Sequence, residues 1–143
     1  MPYRYLDDIA IADAAFEARG SSPEELFAAA ADALLNVMLD DPAALGRVEE
    51  LAVDLIEDDL ELLLFSFLNE LLFFKDARRL LLRVSSLAIG RRDGQCTLQG
   101  ILYGERADRF GQLLNTDVKA VTLHRFEVLE RDGLWRATVV LDV

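Results

Sequence analysis

The sequence predicts an α+β fold: a mainly antiparallel β-sheet with two α-helices packed on one face. Three observations carry this expectation. Two helix starts are written into the chain, at "SSPEE" and "EDDLE". Two Asp-Gly pairs, in "RRDG" and "RDG", each separate long runs rich in apolar residues, which is a hairpin signal. The length, 143 residues, suits a single domain spanning 1–143 with a sizeable core.

Taken in order, Tyr3 to Gly20 reads as one or two short strands. In "DAAFEARG", Phe16 and Ala18 share one side, while Glu17 and Arg19 share the other. The first helix starts with Ser22 as N-cap, Pro23 at the first helical position and Glu25 three residues after the cap. It is expected to run to about Leu39 and to bury Leu26, Ala30, Ala33, Leu34 and Val37. Val48 to Ile56 reads as a strand. Asp58 or Asp59 then caps a second helix from Leu60 to Phe74. That helix is apolar nearly all round, so it is expected to be the more buried of the two, with Phe73 and Phe74 in the core.

"LLLRVSSLAIG" and "QCTLQGILYG" form the first hairpin, and "VKAVTLHRFEVLE" and "LWRATVVLDV" the second, turning at Asp132-Gly133. Counting outward from that turn places Asp142 across from Leu123 and on the same side as Lys119. Lys119 then stands roughly 13 Å further along, at about 3.3 Å per residue. The same count puts His124 on the apolar side, as a buried, hydrogen-bonded structural histidine.

The net charge of −11 argues against direct tight binding of nucleic acid and against an anionic membrane surface. It suits a cation site or a basic partner. The single cysteine, Cys96, can form neither a disulfide framework nor a cysteine zinc site, and reads as structural. "LELLLFSFLNELLFF" is too short and too polar to span a membrane, and no secretory apolar region opens the chain. A cytoplasmic location is therefore expected. A metal-dependent hydrolase would lack its usual groups: there is one histidine, no activated cysteine and no glycine-rich phosphate loop.

The chain closes on "VVLDV", where Asp142 adjoins the free α-carboxyl of Val143. Two neighbouring carboxylates repel unless something positive lies between them. Lys119 is one candidate, and a hard cation taking oxygen ligands is another. Asp7, Asp8 and Asp13 would be further ligands for such a cation. Read from the residues alone, this stands beside the plainer reading of a solvated strand end.

"VKAVTLH" followed by "DGLWRATVVLDV" resembles the archease family. "YRYLDDIAIAD", "SSPEELFAAAADALLNVMLD", "LLLFSFLNELLF" and "LYGERAD" resemble further stretches of that family and extend the likeness over most of the chain. Phe67 stands where tryptophan is usual, Ala10 where many members have histidine, and Gly111-Gln112 where members often have Arg-His. The resemblance implies a protein cofactor rather than an enzyme, with no catalytic residue of its own. It implies an activator of the GTP-dependent tRNA-splicing RNA ligase, promoting guanylylation of the ligase's active-site histidine and multiple turnover. It further implies a divalent metal ion, Ca²⁺ with Mg²⁺ or Mn²⁺ as alternatives, held by Asp13, Asp142 and the terminal carboxylate of Val143. Lys119 would be the residue required for activation. The alternative is a general chaperone or modulator of another protein, docking through the apolar second helix.

Overall fold

The structure, a computed structural model, describes residues 2–6 and 13–143, the side chain of Asp13 excepted. Asp7, Asp8 and Ala10 lie outside the described residues. The described chain runs β1 (Tyr3–Tyr5), β2 (Asp13–Gly20), α1 (Pro23–Met38), β3 (Glu49–Glu57), α2 (Leu60–Arg78), β4 (Leu80–Arg92), β5 (Gln95–Arg106), β6 (Ala120–Arg131) and β7 (Leu134–Asp142). The α+β class and the antiparallel pairing hold, and the strands divide into two sheets. One has the order β1-β2-β7-β6 and the other β3-β5-β4. This division separates the two hairpins, β4–β5 and β6–β7, into different sheets.

Local chemistry explains the helix starts. Ser22 Oγ accepts from the Glu25 N–H at 3.1 Å, with Pro23 in the first turn. Asp59 Oδ1 accepts from the Leu62 N–H at 2.8 Å, which makes Asp59 the cap of α2. α2 runs four residues past the expected end, to Arg78. It stops where Arg79 takes the left-handed conformation (φ 54°) and donates back to the Lys75 carbonyl. An arginine in place of the usual glycine at that position leaves no stop signal in the sequence.

The expected burial of the helices is reversed. α1 packs against strands of both sheets and buries Leu26, Phe27, Leu34 and Leu35 together with a run of alanines that permits close approach. α2 is covered on one side only: Leu63, Leu64, Phe67 and Leu68 are buried, whereas Phe73 is 58% exposed. The helices meet where the Phe27 and Phe67 rings stack at 5.9 Å. Cys96 is buried among apolar neighbours, as expected. Each helix also reaches a strand through a glutamate. Glu24 accepts from the Ile89 N–H of β4 at 3.0 Å, and Glu61 accepts from the Val128 N–H of β6 at 3.1 Å.

The second hairpin turns at Asp132-Gly133 as expected, with Arg131 paired to Leu134. Its ladder then breaks. Glu127 pairs with Thr138, but the next pair is Thr122 with Val140, so β6 carries a bulge over residues 123–126. Arg125 inside it sits at φ 53°. Beyond the bulge, Val121 pairs with Leu141 and Ala120 with Asp142.

Candidate functional site

The bulge overturns the uninterrupted count, and with it the partner of Asp142. That partner on β6 is Ala120, not Leu123. Val121, expected on the side of Asp142, instead faces Leu141 in the core. His124 lies within the bulge and is exposed, so the reading of a buried structural histidine is corrected. The same irregularity draws Lys119 far closer to Asp142 than the predicted spacing. The Lys119 N–H donates to the Asp142 carbonyl oxygen at 2.8 Å.

On its other flank Asp142 pairs in register with Asp13 of β2. The backbone therefore brings residues 13, 142 and 119 together at one end of the four-stranded sheet. Asp142 and Lys119 are exposed. Val143 is half-buried and packs against the core, which ties its main chain down. Among the described residues no three acidic, histidine or cysteine side chains gather to hold a metal, and the Asp13 side chain lies outside that description. The donors in this region are oxygens, the type that suits Ca²⁺, Mg²⁺ or Mn²⁺ over softer metals.

A residue absent from the sequence reading shapes this region. Lys75, in the last turn of α2, is only 8% exposed. Its Nζ donates to Asp117 Oδ1 at 2.6 Å and to the Val118 carbonyl at 2.7 Å, and pairs with Asp76 at 2.8 Å. Burial works against the charge on Lys75, but the hydrogen bonds and charges of Asp117 and Asp76 outweigh it and raise its pKa. The Val118 side chain is fully buried. Lys119 thus projects from a segment pinned on both sides, by Lys75 through Val118 and by Asp142 through its own N–H. A lysine near a helix C-terminus ordinarily reads as a solvated charge favoured by the helix dipole, so its sequence position gave no hint of burial.

A second supported turn precedes this segment. Glu105 is buried and accepts from Gly46 N–H at 2.7 Å and from Arg109 at 2.6 and 2.7 Å. The Arg109 hydrogen bond is the chief reason that its carboxyl lies below the usual carboxylate range. This arrangement closes the "GERAD" stretch onto the 42–46 loop.

The chain matches the model of the Archease protein family over residues 3–143. It is 38% identical over 132 residues to the protein archease of Methanothermobacter thermautotrophicus, covering 92% of this chain and 93% of that one. It is 36% identical over 134 residues to the protein archease of Pyrococcus furiosus, with the same shares covered. Among solved structures it resembles the solution structure of Methanobacterium thermoautotrophicum protein 1598, at TM-score 0.86 and 36% identity over 99% of both chains. It also shares its fold with a Thermotoga maritima archease described as a possible chaperone, at TM-score 0.65 and 21% identity, over 94% of this chain and 93% of that one.

Proposed function

The chain belongs to the archease family, and on that premise we propose that it is a protein cofactor of the GTP-dependent tRNA-splicing RNA ligase. It promotes guanylylation of the ligase's active-site histidine and multiple turnover, and does not join RNA itself. The observation that supports this reading best is the convergence of Asp13, Asp142 and Lys119 at one sheet end. Asp13, Asp142 and the main-chain oxygens of Val143 would hold a divalent ion, with Ca²⁺ the first candidate. Bound there, the ion would supply positive charge to neighbouring carboxylates and a coordination site for a partner's oxygen. Lys119, held out from its pinned segment, would contact the ligase.

Adding the protein to its cognate ligase should raise the number of turnovers, and Asp142→Ala or Lys119→Ala should abolish that rise. Stimulation by Asp142→Ala equal to wild type rules the mechanism out. Calorimetry with Ca²⁺, Mg²⁺ and Mn²⁺ on wild type and Asp13→Ala tests the metal separately.

One observation favours a second reading, a chaperone-like modulator. Phe73 of α2 stands exposed beside a shallow groove of about 520 Å³ that Leu55 and Phe65 help to line. Protection of an unrelated aggregating protein, lost in Phe73→Ser and retained in Lys119→Ala, would support this reading over the first.

A further inference from the structure

The outer side of the four-stranded sheet carries a charge arrangement that the ligase reading does not use. Glu17 of β2 is only 7% exposed, and three arginines from three adjacent strands converge on it. Arg4 of β1 is its register partner, Thr138 of β7 is the partner on the other side, and Arg19 pairs with Arg136 one step along. The three guanidiniums meet a single oxygen. Arg4 Nε lies 3.4 Å from Glu17 Oε1, Arg19 Nε and Nη2 each 3.1 Å, and Arg136 Nε 3.8 Å.

One arginine would neutralise a buried carboxylate. Three against one leave a charge of +2 on these four groups in a chain of net charge −11, and Glu127 of β6, across Thr138 on the same side, is within ion-pair distance of none of the three arginines. Among the described residues Glu17 is the one carboxylate with which any of the three forms an ion pair. The arginine side chains remain 63%, 45% and 48% exposed. Each guanidinium carries five N–H donors in a planar fork, and a shared oxygen occupies few of them. Burial would raise the Glu17 pKa, but the hydrogen bonds of Arg19 and Arg4 and the charges of Arg4 and Arg136 prevail and lower it. Glu17 therefore stays ionised and gathers the forks at one point.

A stripe of separated arginines would track a polyanion backbone. Convergence on one point instead suits one compact, doubly charged oxyanion. A planar carboxylate supplies a single charge, whereas a phosphate monoester supplies nearly two and three acceptor oxygens. We propose that Arg4, Arg19 and Arg136, gathered by Glu17, form a binding site for a phosphate monoester, either a free phosphate compound or the terminal phosphate of an RNA strand. Thr138 and Asp142 are on the same side of β7, so the site lies about 13 Å from the Asp142 tip at roughly 3.3 Å per residue.

Glu17 supplies the discriminating test. Glu17→Gln keeps an oxygen acceptor for the guanidiniums but removes the competing negative charge. Inorganic phosphate is titrated calorimetrically at low salt into wild type, Glu17→Gln and Arg136→Gln, with folding checked by circular dichroism. Saturable binding is expected in wild type, about tenfold weaker in Arg136→Gln and tighter in Glu17→Gln. Arg136 is half exposed, so its variant is readable even if Glu17→Gln misfolds. A purely structural network predicts the reverse: changed stability and no phosphate binding. A parallel titration uses one short RNA with and without a terminal phosphate. Tighter binding of the phosphorylated strand identifies an RNA end, and equal binding of the two strands identifies a small phosphate compound. No saturable binding of phosphate by wild type, or equal binding by all three proteins, overturns the proposal. None of these readouts involves a ligase, so this site and the proposed activation stand or fall separately.

Discussion

Lys119 and Asp142 are joined main chain to main chain: the N–H of one donates to the carbonyl of the other at 2.8 Å, leaving both side chains exposed. Removing either side chain leaves that bond intact. Lys119→Ala and Asp142→Ala are therefore expected to change stability by no more than about 0.5 kcal/mol while abolishing ligase stimulation. Denaturant unfolding run beside turnover assays checks both halves. A variant that loses activity only because it unfolds would remove the case for a functional tip.

Lys75 gives the opposite pattern. Lys75→Met should fit the apolar end of α2, yet it leaves the Val118 carbonyl without its donor, at a cost of about 1–2 kcal/mol. The pKa of Lys75 is raised, so its contribution is complete below the ordinary value of 10.5 and is lost as pH rises through the higher folded-state value. Wild type should lose stability at strongly alkaline pH, and Lys75→Met should lose less over the same range. Unfolding followed from neutral to alkaline pH measures the difference.

Glu105 acts at the other end of the pH scale. Its pKa is lowered, first by the Arg109 hydrogen bond, so its contribution is present above the ordinary 4.5 and fades as pH falls through the lowered value. Glu105→Ala leaves the Gly46 N–H unpaired at a cost of about 1–3 kcal/mol. The variant should unfold earlier at neutral pH and show a shallower acid limb. Matching acid limbs in the two proteins would contradict this account.

Gly104 permits the close passage of β5 against β4. A Cβ there would run into the carbonyl oxygen of Leu81, a backbone atom that the paired strand holds in place. Gly104→Ala is expected to cost at least about 3 kcal/mol. Gly90→Ala, where the nearest atom is Thr97 Oγ1 at 3.7 Å, should lie within about 1 kcal/mol of wild type. Melting temperatures of the two variants separate close approach from a general effect of losing glycine.

The parts of this fold legible in the sequence are those with local chemistry. Ser22-Pro23, Asp59 and the two Asp-Gly turns each signal an element through a side chain or a backbone preference. What escaped depends on packing or on residues that break their usual habits. The β6 bulge sits in "TLHRFE", where nothing marks Arg125 as taking a positive φ, so the uninterrupted count misplaced Val121 and His124. Lys75 is drawn under the 117–118 segment by Asp117 and the Val118 carbonyl, more than forty residues away in sequence, a pairing that no periodicity encodes. The uninterrupted count placed Lys119 and Asp142 on one side of the sheet; the register instead sets Ala120 across from Asp142, and the main-chain bond that brings Lys119 to Asp142 depends on the bulge.

The glutamates that each helix sends to a strand have a further consequence. β6 borders the four-stranded sheet and β4 borders the three-stranded one, and a bordering strand normally offers a row of unpaired amides to any passing chain. Here Glu61 occupies the Val128 amide, Glu24 occupies the Ile89 amide, and the bulge interrupts the row on β6. The β6 and β4 rims are blunted as templates for strand addition, while β1 and β3 form the other two borders. In a chain 52% apolar, the outer strand of each long hairpin is thereby guarded against pairing with a copy of itself.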